Sequence, residues 1–281
     1  MHLDRLITLR LVRPWRSLSG PADPHLPILM YHRLADDPEP GIPPFKRLCT
    51  SAARFSEHMQ WLAEAGWRGV GVSEALAAGP SPNNAHRCCA ITFDDGLLDF
   101  AVAAAPALAR HGFGATVYLP TAFIGDTRRS FQSHPCLTWE EVRELHRAGF
   151  EFGSHTVNHP RLHALAWSDV LHEVDASKAA IEQQLGARIS GFSHPYAYPQ
   201  ADRRFAASMA LALHLAGYTH GVTTAIGRAA PDAERFALRR LPVSGADDRD
   251  LFLAKVEGAY DWLGRPQAWS KTARYLATGR A

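Results

Sequence analysis

Cys89-Ala90-Ile91-Thr92-Phe93-Asp94-Asp95-Gly96 is a short apolar run that stops at two carboxylates and a glycine. A run this brief, closed by turn residues, reads as a buried strand. The same grammar recurs outward from it. Ile28-Leu29-Met30-Tyr31 ends at His32, Phe150–Gly153 ends at Ser154-His155, and Ile189–Ser193 runs into His194-Pro195-Tyr196. Further strands are expected at Val70-Gly71-Val72, Thr116–Leu119, Val222–Thr224 and Leu238–Val243. Helical signals lie between them. Phe55, Met59 and Leu62 share one face ahead of Gly66, Asp99 stands as a cap before a helix reaching His111, and Thr138 with Glu141 forms a capping box for Trp139–Ala148. Helices over Ser168–Leu185, closed by Gly186, and over Ala201–Ala216 complete the set. Strands alternating with helices call for a parallel sheet with helical crossovers, closed or nearly closed into a barrel. In such folds the reactive groups gather at the carboxyl ends of the strands, where His32, Asp94-Asp95, His155 and His194 all fall.

Composition bounds the rest. With 281 residues, 46% hydrophobic and 21% charged, the chain has the balance of a globular domain, and no apolar run approaches the roughly 18 residues of a membrane span. A net charge of +2 is too weak to imply a nucleic-acid partner. The domain plan is a basic leader over 1–27 followed by one barrel domain over 28–281 with C-terminal helices. The leader carries Arg5, Arg10, Arg13 and Arg16 against Asp4 alone, reads as a loosely docked terminus, and can touch an acidic membrane surface. Arginines interrupt every apolar run in it, so it does not read as a secretory signal and a cytoplasmic location is expected. Cys49, Cys88, Cys89 and Cys136 lack metal-type spacing and read as reduced thiols.

Asp94 and Asp95 at one turn can divide labour, one ligating a metal and the other moving a proton; the plainer alternative is a helix cap. His155-Thr156-Val157-Asn158-His159 brings two imidazoles to one face if the segment turns helically. Joined to a carboxylate from another strand, they form a two-histidine, one-aspartate set with open coordination positions, as catalytic divalent-metal sites require.

These two motifs resemble those of the NodB-type polysaccharide deacetylases, carbohydrate esterase family 4, and the resemblance spans roughly residues 28 to 245. It implies a deformed (β/α) barrel of about seven parallel strands. It implies that Asp95, His155 and His159 bind a divalent metal, most often zinc with cobalt or nickel as alternatives, and that Asp94 is the base that activates the hydrolytic water. The family's third motif, Arg-x-Pro-Tyr or Phe, stands here as Ser193-His194-Pro195-Tyr196. The backbone N–H of Tyr196 should still complete an oxyanion hole. The missing arginine needs a replacement, for which Arg240 is the candidate. The late Leu-x-x-His motif is also absent, and the opening Ile28–His32 resembles the circularly permuted biofilm-exopolysaccharide branch, which makes His32 the general acid ahead of His194 and His220.

The activity this implies is removal of N-acetyl groups from an acetylated amino sugar in a polysaccharide, lipid-linked oligosaccharide or glycoside. The alternatives are an O-acetyl esterase or non-sugar amidase of the same fold, or a silent glycan-binding barrel. A two-carboxylate glycosidase fits adjacent aspartates beside two histidines poorly. Trp139, Phe123 and Tyr198 are candidates for stacking on a sugar, and His58, His111, His146, His163 and His172 read as structural.

Overall fold

Seven parallel strands close into a ring in a computed structural model that describes residues 3–17, 24–36, 49–79, 87–264 and 266–269. The strands are β1 (Ile28–Tyr31), β3 (Arg87–Phe93), β4 (Thr116–Leu119), β5 (Glu151–Ser154), β6 (Gly191–Ser193), β7 (His220–Ile226) and β8 (Leu238–Pro242). β1 closes the ring, pairing Leu29 with Leu241 of β8 on one edge and Ile28–Tyr31 with Ala90–Phe93 of β3 on the other. An eighth strand, β2 (Trp67–Val70), pairs with the first half of β3, from Arg87 to Ala90, while β4 pairs with β3 from Thr92 onward. The edge of β3 is thus shared between two partners, and β2 stands outside the ring.

Ile28, Leu29, Ala90, Ile91, Val117 and Phe192 are fully buried, which explains why the strands read as unbroken apolar runs rather than alternating ones. Helices cover the outside. Ser51 Oγ accepts from Arg54 N–H at 3.1 Å to start helix Ala52–Glu64, and the Thr138–Glu141 capping box starts Trp139–Arg147 as expected. Helix Trp167–Leu185 ends at Gly186 with φ +63°, a left-handed turn that glycine enters without penalty.

Three expectations need correction. The strand expected at Val70–Val72 stops at Val70, and Val72 begins helix Val72–Ala78. Side-chain acceptors decide this: Val72 N–H donates to Thr116 Oγ1 at 2.8 Å and Ser73 N–H to the Glu151 carboxylate at 3.1 Å, so both amides find helix-start partners. Asp99 caps no helix with its side chain; its carboxylate accepts from Leu34 N–H at 2.7 Å instead. The described part of the leader is docked and not loose. Residues 3–17 are helical and dock on helix Arg249–Val256, where Arg5 pairs with Asp248, Arg13 lies 3.5 Å from Asp250, and Trp262 Nε1–H donates to the buried Thr8 hydroxyl at 3.1 Å. The proline-rich stretch from Pro38 to Pro44 lies outside the described residues.

Candidate active site

The strand ends deliver their polar residues through strained turns. Six non-glycine residues among those described have positive φ, and Asp95 (+71°), Thr156 (+70°), His159 (+53°) and Tyr196 (+57°) are four of them. Each such position costs on the order of 1–3 kcal/mol unless its surroundings enforce it. At β3 the left-handed Asp95 and Gly96 turn the chain so that Asp94 and Asp95 line one cavity. A Cβ at Gly96 would meet Leu119 at 2.8 Å, so the turn also needs the missing side chain.

At β5 the His155–His159 segment is a tight turn, not the helical turn expected. Glu173, buried on helix Trp167–Leu185, enforces it by accepting Val157 N–H at 2.7 Å, Asn158 N–H at 2.9 Å and the Asn158 amide at 2.7 Å. Thr156 Oγ1 accepts His159 N–H at 3.0 Å. The imidazoles therefore still converge, with ring centroids 4.7 Å apart.

His155 Nε2 and His159 Nε2 each lie 3.6 Å from Asp95 Oδ1. That carboxylate oxygen is buried and has no hydrogen-bond partner. His155 Nδ1 faces the Ser193 carbonyl at 2.8 Å, and a carbonyl only accepts, so Nδ1 carries the proton and Nε2 points a lone pair at the cluster. Burial, with Asp94 nearby, pushes the Asp95 carboxyl up to about 8. Burial lowers His155 to about 4 and His159 to about 3, which keeps both rings neutral. An orphaned carboxylate oxygen and two neutral imidazoles, all within 4.8 Å of one another, suit a divalent cation. At metal–ligand distances near 2.0–2.2 Å, tetrahedrally placed ligand atoms stand about 3.4 Å apart, close to the spacing here.

Asp94 is held differently. Arg240 Nη1 donates to Asp94 Oδ1 at 2.8 Å and Nη2 to Oδ2 at 2.7 Å, in a bidentate fork. The guanidinium is itself fixed by the Thr223 carbonyl at 2.9 Å and the Thr92 hydroxyl at 3.1 Å. Ser193 Oγ–H donates to Asp94 Oδ1 at 3.1 Å and accepts from Arg240 Nη2 at 3.2 Å. Burial pushes the Asp94 carboxyl up, but Arg240, His155 and His32 pull it down further, and the net position lies well below the usual carboxylate range. Asp94 is therefore ionised across the neutral range.

His32 Nε2 lies 3.6 Å from Asp94 Oδ2, and its Nδ1 is buried without a partner. Burial lowers this ring to about 4 against the opposing pull of Asp94. The Asp99–Leu34 bond ties down the segment that carries it. His194 also lines the cavity, but its Nε2 is committed to the Phe236 carbonyl at 2.9 Å. His220 begins β7 at the opposite end of the barrel, so neither rival for the acid stands as His32 does.

Residues 81–219 match the family described as polysaccharide deacetylase. The chain carries a polysaccharide deacetylase domain of the NodB type. It is 29% identical over 244 residues to YxkH of Bacillus subtilis (strain 168), whose name assigns it to the polysaccharide deacetylases, covering 86% of this chain and 79% of the relative. The fold is that of the Streptococcus pyogenes deacetylase PplD, with a TM-score of 0.70 at 24% identity over 83% of this chain and 98% of that one. It is also that of IcaB from Ammonifex degensii, with a TM-score of 0.66 at 20% identity over 84% and 98%.

Ser193, where the resemblance leads one to expect an arginine, bonds Asp94 through its hydroxyl, and Arg240 reaches that aspartate from β8, two strands further round the ring. The small serine leaves room for that guanidinium. Tyr196 N–H bonds no acceptor among the described residues, while the carbonyl of Tyr196 accepts from Thr224 Oγ1 at 2.9 Å and so anchors the loop.

The cavity over these groups measures about 430 Å³, at the lower end of the small-molecule range. Trp139 and Tyr198 are buried, Phe123 packs on the core, and none of the three lines it. The aromatic wall comes instead from Phe131, whose ring meets His159 at 4.9 Å, and from the half-exposed Tyr196, 4.6 Å from His159. Phe131 and Glu173 escape the sequence reading, and Ser193 enters it only as the residue standing in the third motif, without its bond to Asp94. Glu173 left one signal, a carboxylate on the helix face otherwise buried through Val170, Val174 and Ile181.

Proposed function

We propose that this chain is a metal-dependent hydrolase that removes N-acetyl groups from an acetylated amino sugar. The observation that carries the reading is the cluster of Asp95, His155 and His159 beside an aspartate clamped by Arg240. When bound there, a divalent cation supplies Lewis acidity to the acetyl carbonyl and lowers the pKa of water toward neutrality. Zinc suits the two-imidazole, one-carboxylate set, and cobalt or nickel can occupy it.

Asp94 accepts the proton of the attacking water; its ionised state at neutral pH fits a base. Tyr196 N–H donates to the oxygen that gains charge as the carbonyl becomes tetrahedral. His32 protonates the departing amine. Because burial keeps the His32 ring neutral at pH 7, the proton it delivers is the one Asp94 has taken from water, passed across the 3.6 Å between them as the groups close. Water thus supplies hydroxide to the acetyl carbon and a proton to the amine, leaving acetate and a free amino sugar.

The substrate class we favour is a lipid-linked oligosaccharide, sugar precursor or glycoside, with a cytoplasmic site of action. The test is acetate release from a panel running from free N-acetyl sugars to lipid-linked oligomers, with O-acetylated sugars and simple amides as further arms, using chelator-treated protein restored with zinc, cobalt or nickel. Release confined to the O-acetyl or non-sugar arms, or unaffected by chelation, would overturn the reading.

A further inference from the structure

The helical segment 3–17 has two faces of opposite character. Its inner face is saturated by the barrel: Asp4 accepts from the Tyr260 hydroxyl at 2.8 Å, Arg5 and Arg13 pair with acidic side chains, and Thr8 is fully buried. Its outer face exposes Leu3 (71%), Leu11 (66%) and Trp15 (75%), with Leu6 also open to solvent. Large apolar side chains grouped on one helix face are unusual on a free surface and mark a partner. The wide turn at Thr8–Val12 turns less per residue than an α-helix. It thereby keeps Leu11 and Trp15 on the side opened by Leu3 and Leu6.

Charge selects the partner. Asp4 is the one acidic residue among the described residues of the segment, and it points inward. Arg5 and Arg13 are spent on Asp248, Asp250 and Glu257. Arg10 is exposed, between Leu6 and Leu11 in the chain, and pairs with no acidic side chain among the described residues, so the outer face is apolar and cationic. We propose that this face is a docking surface for an anionic phospholipid bilayer, lying in the plane of the headgroups. A leucine and tryptophan stripe enters the acyl boundary, and Arg10 meets lipid phosphate. No described helix is long and apolar enough to cross a membrane, which fits a helix that lies on the surface.

The test is co-sedimentation of the full chain with phosphatidylglycerol-containing vesicles and with phosphatidylcholine vesicles. Binding to the anionic vesicles is expected, weakened at high salt. The Leu3→Asp/Leu11→Asp variant should lose at least tenfold in vesicle affinity, with thermal unfolding unchanged as the control for folding. Arg10→Glu, a surface change that removes no packing, should weaken binding to anionic vesicles alone. Wild-type protein that stays in solution, or variants that bind like wild type, would overturn the proposal. So would equal binding to neutral vesicles, or a dimer by light scattering that Leu11→Asp dissolves while vesicles bind nothing, because the face would then belong to a second copy of the chain.

Discussion

Arg240 grips both carboxylate oxygens of Asp94, at 2.8 and 2.7 Å, across 146 positions of sequence. Both side chains are buried, so the pair has no water to fall back on. Removing the guanidinium by Arg240→Ala leaves an uncompensated buried carboxylate and should destabilise the fold by about 3–5 kcal/mol. Arg240→Lys keeps the charge but loses the fork, and kcat should fall about 10–100-fold with metal content retained. Lysine-variant kinetics indistinguishable from wild type would show that Asp94 needs no clamp.

Asp94→Asn removes the base and spares the three candidate ligands. Turnover should drop by about 100-fold or more, the usual worth of a general base, while metal per chain measured by elemental analysis stays at the wild-type level. Loss of metal instead would make Asp94 a ligand and reassign the site.

Much of this site was legible because its residues sit at strand ends, and strand ends are marked by where apolar runs stop. Asp94-Asp95, His155 and Tyr196 were found that way. Arg240 was reached only as a replacement for an absent residue, since nothing in Arg239-Arg240-Leu241 says which arginine faces inward; the register of β8 against β1 and β7 decides that. The Val72 helix was missed for a related reason. Its start is fixed by Thr116 and Glu151, whose approach depends on neighbouring strands and not on local propensity. Glu173 acts through a turn 15 residues away, and spacing alone could not connect them.

The pH dependence separates two origins for the proton on His32. Its folded-state value of about 4 lies below the ordinary 6.5, so the free ring is neutral at pH 6–8. An acid that had to start protonated would make kcat fall tenfold per pH unit through that range. A ring loaded from Asp94 during turnover predicts kcat flat from about pH 6 to 8. The steep decline would refute the relay. His32→Ala should cut kcat with metal content unchanged.

Metal binding should be linked to stability with a defined sign. In the metal-free protein Asp95 sits at about 8, above the 3.8 of a free carboxyl. Between those values the unfolded chain is ionised while the folded one holds a proton, so this group costs the fold stability increasingly as pH rises from about 4 to 8. A cation that binds the carboxylate removes that cost, so the rise in Tm at saturating zinc should be larger at pH 8 than at pH 5. Asp95→Asn should abolish most of the difference. An equal zinc-induced shift at both pH values would place the ion elsewhere.

Glu173 offers the most discriminating substitution, because it touches no candidate ligand. Its carboxylate accepts three N–H groups of Val157 and Asn158 and so holds a turn with Thr156 and His159 at positive φ. Glu173→Gln keeps the shape and replaces one oxygen by a donor facing donors, which a relaxed turn can avoid only by moving His159. Zinc affinity should fall about 10–100-fold, as for other outer-shell supports, with kcat at saturating zinc recovering most of its wild-type value. Isothermal titration of chelator-treated protein reads the affinity directly. Unchanged zinc affinity would mean that the backbone strain at Thr156 and His159 is sustained by β5 and the Thr156–His159 bond without help from the helix.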